Sequence, residues 1–228
     1  MRKRLTMRKP KVLLTGFEPF DGATFNISEK IVSEFSNLRF DNFSVETEIL
    51  TVDEKGSNVV CKKLKNNKFD CIIMLGYNNK IKKINVEHKA INKIQMKIKD
   101  NSGRMIDSDF IISSAPNELF STISLEKLFQ ESPIEFDFSS NAGTFICNET
   151  YFRTLEKIYS KNILDKQNKI LPCVFIHLPL DTFEPVSKQI EFISWAIQKI
   201  IFQEVLDVVA AVIRNEKGEI LVAKRKHD

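Results

Sequence analysis

Short apolar runs alternate with amphipathic segments along the chain, and this alternation is typical of an α/β fold. Cys71–Leu75 is a continuous apolar run, which predicts a buried strand of a parallel sheet. Ile27–Phe35 places its apolar residues on one helical face, and Asn26 precedes it as a candidate N-cap. The pattern predicts strands at Lys11–Thr15, Ser44–Leu50, Cys71–Leu75, Ile84–Ala90, Ile134–Phe138 and Val174–Leu178, and helices at Ile27–Phe35, 56–64, Cys147–Tyr159 and Pro185–Phe202.

The pattern changes after Gln203, where a helix resembling the end of a domain is followed by the β-branched run Val205–Ile213. Asn215–Gly218 is typical of a turn, and the apolar segment Glu219–Ala223 comes after it. We therefore predict a β-hairpin appended to the main domain. The predicted organisation is a basic extension at residues 1–10, one domain at 11–204 and an appended segment at 205–228.

The composition is that of an ordinary globular protein, since 43% of the 228 residues are apolar and 28% are charged. A disordered or fibrous chain is therefore excluded. Much of the net charge of +4 lies at the two ends, in Arg2–Arg4, Arg8–Lys9 and Lys224–Lys226. This placement favours solubilising termini, because a nucleic-acid interface more often has a basic stripe on one folded face. We expect no nucleic-acid partner.

No apolar run approaches the roughly 20 residues of a membrane span or the about 7–15 residues of a secretory signal. The four cysteines are widely spaced and form no CxxC pair, which favours reduced thiols in the cytosol over disulfides. Neither HExxH nor paired Cys/His spacing occurs, so no zinc site is predicted. We expect a cytoplasmic protein without a membrane partner, a metal or a cofactor.

Cys147 is the strongest candidate nucleophile among the cysteines. It lies where the small-residue loop Asn141–Thr144 leads into a predicted helix. The positive end of a helix dipole favours a thiolate there, and Gly143 and nearby backbone N–H groups suit an oxyanion. The alternative is a small apolar core residue, which is the more common fate of cysteine. The other three cysteines lie on or next to apolar elements and are predicted to be core residues.

A cysteine nucleophile needs a base, and the base needs a third group that fixes its tautomer. His177 ends an apolar strand, the kind of position where catalytic groups lie in α/β sheets, and a buried structural histidine is the alternative. His88 is a rival base. Since neighbours on a strand point to opposite faces, only one of Glu87 and His88 can face the site. Glu87 suits the orienting role, with an ordinary exposed glutamate as the alternative.

Four sequence blocks stand in a fixed order around these three residues. They are Thr15–Phe20 with Asn26, Gly76 through Glu87 to Ala90 and Asn92, Ser140–Asn148, and Phe175–Pro179. Together they resemble the pyroglutamyl peptidase I (pyrrolidone carboxyl peptidase) family over roughly residues 11–202. The resemblance implies a three-layer α/β/α sandwich with a mixed, largely parallel sheet. It also implies a cysteine omega peptidase without a cofactor, and a homo-oligomer, a tetramer by family resemblance.

By that resemblance Cys147 is the nucleophile, His177 the general base and acid, and Glu87 the residue that orients His177. The implied substrate is a peptide with an N-terminal pyroglutamate. Pyroglutamate has a lactam in place of a free amine, so an apolar slot with one acceptor and one donor suits it. By the resemblance, Phe17, Phe20 and Phe145 enclose the ring and the backbone carbonyl of Tyr77 is the acceptor. Asn26 either contacts the substrate or supports a residue that does, alongside its competing role as helix N-cap.

Two positions depart from the family pattern. The family arginine ten residues after the glutamate, which looks like an oxyanion contributor, is Lys97 here. Lysine keeps the charge but lacks the planar fork of arginine. A Gly-Arg pair of many bacterial members reads Lys80-Ile81. We expect activity to survive, with two alternatives: a weakened or inactive member that binds pyroglutamyl peptides, and a related thiol amidase.

The C-terminal segment resembles a different family. Residues 207–225 are similar to the opening hairpin of a Nudix hydrolase. The Nudix box, a glycine followed by several glutamates and an Arg-Glu pair, does not follow it in this sequence. We therefore interpret residues 205–228 as an incomplete Nudix-like fragment and expect no Nudix activity.

Overall fold

The computed structural model describes residues 8–66 and 68–202. Its strands are, in chain order, β1 (Lys11–Phe17), β2 (Ser44–Leu50), β3 (Cys71–Tyr77), β4 (Ile84–Glu87), β5 (Lys89–Ile91), β6 (Glu118–Phe120), β7 (Phe136–Ser139) and β8 (Cys173–Leu178). Its helices are α1 (Ile27–Asn37), α2 (Glu54–Ser57), α3 (Val59–Asn66), α4 (Leu125–Leu128), α5 (Ile146–Ser160) and α6 (Val186–Ile201).

Six strands form the main sheet in the order β2-β1-β3-β8-β4-β7. β1 pairs in parallel with β2 and β3, and β3 pairs in parallel with β8. β4 runs antiparallel to β8 and parallel to β7, so the sheet is mixed but largely parallel. The central strands are buried on both faces, as the apolar run of β3 predicts: every residue from Cys71 to Gly76 is buried.

Helices cover both faces of this sheet. On one face, Ile31 of α1 and Phe192 of α6 belong to the same core as Ile73 of β3. On the other face, α3 and α5 pack, and Phe152 of α5 shares a core with Ile72 of β3. Successive β3 residues therefore serve opposite cores, as strand geometry requires. The predicted three-layer α/β/α sandwich with a mixed, largely parallel sheet is confirmed.

The prediction of one strand over Ile84–Ala90 is wrong. The segment is two strands, because β4 pairs with β8 and β7 in the main sheet whereas β5 pairs with β6 in a separate antiparallel pair. His88 lies at the break. Its N–H donates to the carbonyl of Ser139 over 2.6 Å, and its carbonyl accepts from the N–H of Ser121 over 2.7 Å. The chain thus leaves the main sheet at His88.

Other elements differ from the predictions at their ends. The predicted helix 56–64 is two helices, and Asp53 caps the first of them by accepting from the N–H of Gly56. The strand predicted from Ile134 begins at Phe136. The hydrophobic pattern predicts neither the three-residue β6 nor the one-turn α4. The predicted hairpin within 205–228 lies outside the described residues. No helix within 8–66 or 68–202 is long and apolar enough to cross a membrane.

Candidate active site

The three candidate catalytic side chains meet on the face of the sheet that α5 covers. His177 of β8 and Glu87 at the end of β4 are 4% and 1% exposed, and His177 Nδ1 lies 2.7 Å from Glu87 Oε1. Gly76 is the partner of His177 in the β3–β8 ladder. The sulfur of Cys147 lies 2.9 Å from the point where a Cβ on Gly76 would be. Cys147, the second residue of α5, is half-buried and therefore reachable from solvent.

The surroundings of His177 favour the charged form of its imidazole. Burial disfavours its positive charge, but hydrogen bonding and charge from Cys147 and Glu87 outweigh burial and raise the pKa of His177 from 6.5 to about 9. Because Glu87 engages Nδ1, Nε2 is the nitrogen left for the thiol. The arrangement therefore suits a thiolate–imidazolium pair with an orienting carboxylate.

His88, the rival base, is directed elsewhere. Its ring centroid lies 5.0 Å from that of Phe138, and its Nε2 lies 3.6 Å from Glu126 Oε1. Of the two neighbours in sequence, Glu87 is the one that contacts His177. The register of β4 against β8 places Glu87 on the face of the sheet that carries His177, and its neighbour His88 points away from that face.

The remaining three thiols are poor nucleophiles. Cys71 and Cys173 are fully buried core residues, as predicted, and burial raises the pKa of each thiol. Burial also raises the pKa of Cys61 to about 11. The Cys61 thiol donates to the carbonyl of Arg153 over 3.3 Å. All three therefore remain protonated at neutral pH.

The start of α5 is fixed by Asn148, the residue after Cys147. Its fully buried side chain accepts from the N–H of Ile91 and donates to the carbonyls of Ile91 and Lys93, at 2.8–2.9 Å. Within the described residues, no side chain caps the N-terminus of α5. The N–H groups of its first turn therefore suit an oxyanion beside Cys147. The N–H of Gly143 is engaged by the side chain of Asn141 at 3.1 Å.

Lys97 lies in the segment between β5 and β6 and is exposed. This segment is tied to the loop before α5 by two bonds: the N–H of Gln95 donates to the carbonyl of Thr144 over 2.8 Å, and the Thr144 hydroxyl donates to the carbonyl of Gln95 over 2.9 Å. A second tie follows at Arg104, which lies 2.7 Å from the buried carboxylate of Glu149 on α5. The Lys97 segment is thus anchored on one side to the loop before α5 and on the other to α5 itself.

Three aromatic residues matched to the lactam pocket lie near the candidate site. Phe17 ends β1 and is buried, with its ring centroid 6.5 Å from that of Phe175. The rings of Phe20 and Phe145 are 6.1 Å apart. Phe145 directly precedes α5. These rings form an apolar wall on the β1 side of Cys147.

Asn26 and Tyr77 are placed differently from each other. Asn26 caps α1: its Oδ1 accepts from the N–H and the hydroxyl of Ser28 at 3.0 and 2.8 Å, and its Nδ2 donates to the carbonyl of Glu18 at 3.0 Å. Within residues 8–66 and 68–202, the second N–H of the Asn26 amide has no partner. The Tyr77 side chain packs with the core on the opposite face of the sheet. Only the backbone of Tyr77 is therefore suited to contact a substrate at this site.

Two structural contributors to the site have only a weak signal in the sequence pattern. Tyr151 is fully buried, and its hydroxyl donates to the carbonyl of Glu87 over 3.2 Å. Asn148 binds backbone groups of Ile91, the last residue of β5, and of Lys93 beyond it. Both side chains act on backbone groups, which every residue has. A polar residue one or four positions after the nucleophile on the buried side of its helix is the only available signal.

Gly76 leaves room for the nucleophile, and we expect Gly76→Ala to lower kcat/KM about 10²-fold. The added Cβ would lie 2.8 Å from the Phe175 ring and 2.9 Å from the Cys147 sulfur, so the sulfur would have to move relative to His177. Steady-state kinetics and the rate of Cys147 alkylation by iodoacetamide measure this displacement. Wild-type values of both quantities would contradict it.

Comparison with known proteins identifies the family. A model of the pyroglutamyl peptidase family matches residues 10–220. This chain belongs to that family. The match includes residues 205–220, which lie outside the described part of the structure. The predicted division of the chain at residue 204 therefore stays a prediction.

Curated relatives agree with this assignment. A pyrrolidone-carboxylate peptidase of Pyrococcus furiosus is 31% identical over 173 residues, covering 74% of this chain and 80% of that protein. One of Clostridium botulinum is 31% identical over 221 residues, covering 92% of this chain and 99% of that protein.

Solved structures show the same fold. The pyrrolidone carboxyl peptidase of P. furiosus superimposes with a TM-score of 0.74 at 27% identity, covering 84% of this chain and 98% of that chain. The enzyme of Fervidobacterium islandicum superimposes with a TM-score of 0.75 at 28% identity, with the same coverage of 84% and 98%. The mixed sheet and its helices are therefore those of this family.

Proposed function

We propose that this family member is a cysteine peptidase that removes an N-terminal pyroglutamate from peptides. The observation that carries the proposal is the meeting of Cys147, His177 and Glu87 beside the aromatic wall. A half-buried thiol next to an imidazolium that a carboxylate orients is suited to nucleophilic acyl transfer. The names of the relatives support pyroglutamate as the acyl group.

The reaction proceeds in two stages. The Cys147 thiolate attacks the pyroglutamyl carbonyl carbon, and the first-turn N–H groups of α5 stabilise the resulting oxyanion. His177 Nε2 gives its proton to the peptide nitrogen as the C–N bond breaks, which releases the shortened peptide and leaves a thioester. A water molecule then gives a proton to His177 and attacks the thioester, which releases pyroglutamate and restores Cys147.

The pocket discriminates through charge and hydrogen bonding. Phe17, Phe20 and Phe145 enclose the lactam ring, the carbonyl of Tyr77 accepts from the lactam N–H, and the remaining N–H of Asn26 is available to the lactam oxygen. Lys97, two residues after the Gln95 that is tied to Thr144 before α5, is proposed to add positive charge near the oxyanion. A free ammonium in this apolar slot would be desolvated without a partner, which is costly.

Acyl-group selectivity tests the proposal. On one fluorogenic amine, we expect pyroglutamyl to be hydrolysed with a kcat/KM at least about 10²-fold above that of prolyl, which has a ring amine and lacks the lactam oxygen. Glutamyl is the open-chain control. Equal rates for prolyl and pyroglutamyl would favour the alternative of a broader thiol amidase. Binding of pyroglutamate without turnover would favour an inactive member.

The remaining partner and location assignments stay predictions. They are a homo-oligomer, a tetramer by family resemblance, without nucleic-acid or membrane partners and in the cytoplasm.

A further inference from the structure

Asn85 is a polar residue of the site that the family resemblance does not single out. It lies directly opposite His177 in the antiparallel β4–β8 ladder, two residues before Glu87. Directly paired residues of neighbouring strands share a face of the sheet, and so do residues two apart on one strand. The side chains of Asn85, Glu87 and His177 therefore all lie on the face that carries the Cys147 sulfur.

The amide of Asn85 has hydrogen-bonding capacity to offer. Asn85 is half-buried, and within residues 8–66 and 68–202 its side chain forms no hydrogen bond. A primary amide has two donor hydrogens and an acceptor oxygen, and a half-buried amide gains from pairing them. Asn85 also lies nearer the carboxyl end of β8 than Glu87 does. The two strands are antiparallel, so Asn85 pairs with His177 near that end and Glu87 pairs with Phe175, two residues earlier.

The order of the strands places Asn85 on the leaving-group side of the reaction. Across the sheet, β1 carries Phe17 of the acyl pocket, β3 carries Gly76 beside the sulfur, β8 carries His177 and β4 carries Asn85. A substrate with its ring over β1 and its scissile bond between the sulfur and His177 extends over β4. The group released as an amine therefore passes Asn85.

We propose that Asn85 binds the leaving peptide, by pairing its side-chain amide with the first peptide group after the scissile bond. This inference rests on the proposed function and adds a specificity to it. The site favours pyroglutamyl peptides over pyroglutamyl amides whose leaving group has no peptide bond. The hydrogen bond to Asn85 forms only with pyroglutamyl peptides.

Two substrates separate this role from a structural one. Pyroglutamyl-alanyl-alanine has a peptide group after the scissile bond, whereas pyroglutamyl-7-amino-4-methylcoumarin has none. For Asn85→Ala we expect kcat/KM on the peptide to fall about tenfold, the worth of one hydrogen bond, and that on the coumarin amide to stay within about twofold. Asn85→Ser, with a shorter polar group, is expected to lose less on the peptide. Asn37→Ala, an exposed asparagine on α1, is the matched control.

The outcomes are distinguishable. Equal losses on both substrates, or no loss on either, would overturn the role of Asn85. A melting temperature of Asn85→Ala close to that of Asn37→Ala, together with loss on the peptide alone, would support it. If the wild type hydrolyses neither substrate, the proposed function itself fails; if the wild type hydrolyses both, only the inference about Asn85 is at stake.

Discussion

Replacing Cys147 with alanine is expected to lower kcat for a pyroglutamyl amide about 10⁴-fold or more. The reason is that the side chain forms the covalent bond in the proposed reaction, and none of the other thiols is placed to substitute for it. Cys71 and Cys173 are fully buried, and Cys61 faces the backbone of Arg153. A pyroglutamyl fluorogenic amide measures turnover, and intact-mass spectrometry after rapid quenching detects the thioester in the wild type alone.

Cys61→Ser is the matched control for this variant. Its hydroxyl can donate to the carbonyl of Arg153 in place of the thiol, so the fold and the activity should both be retained, with kcat within about twofold of the wild type. Cys147→Ala removes one sulfur from a half-buried position and should leave the melting temperature nearly unchanged. Residual activity of Cys147→Ala near that of Cys61→Ser would disprove Cys147 as the nucleophile.

The elements that bear the site were largely predictable, because their signals are local. The apolar runs of β3 and β8 and the periodic apolar face of α5 are read directly from neighbouring residues, and each element begins or ends within two residues of its prediction. Cys147 at the start of a helix and His177 near the end of a strand followed from those elements. Their roles came from the family resemblance and stay proposals here.

The features that were missed depend on distant partners. The break at His88 exists because β5 pairs with β6, about thirty residues later, and β6 itself is too short to have a periodic signal. Whether Glu87 or His88 faces His177 depends on the register of β4 against β8, two strands that are far apart in sequence. The placement of Asn85 opposite His177 requires the register of two strands that are far apart in sequence, which no local pattern contains.

Replacing Glu87 with glutamine is expected to lower kcat/KM about 10³-fold or more. Glutamine has nearly the same shape and fits the buried position, but it is neutral. It stabilises the imidazolium less, and its NH₂ group can face Nδ1 and force the wrong tautomer of His177. In the wild type, Glu87 Oε1 is 2.7 Å from Nδ1. Glu118→Gln, at an exposed carboxylate paired with Lys89, is the control.

The pH dependence of kcat/KM should differ between the wild type and Glu87→Gln in a defined direction. Since the pKa of His177 is raised from 6.5 to about 9, the imidazolium that protonates the leaving amine persists to about pH 9, and the wild-type kcat/KM should fall above that pH. Glu87→Gln removes one of the two contacts that raise the pKa of His177, so its alkaline limb should move to lower pH, whereas that of Glu118→Gln should not move.

A raised folded-state pKa also contributes stability that is fully present below about pH 6.5 and is lost as the pH rises through about 9. The melting temperature of the wild type should therefore fall more between these pH values than that of Glu87→Gln. An alkaline limb that stays at about pH 9 in Glu87→Gln would show that Glu87 does not hold the proton on His177.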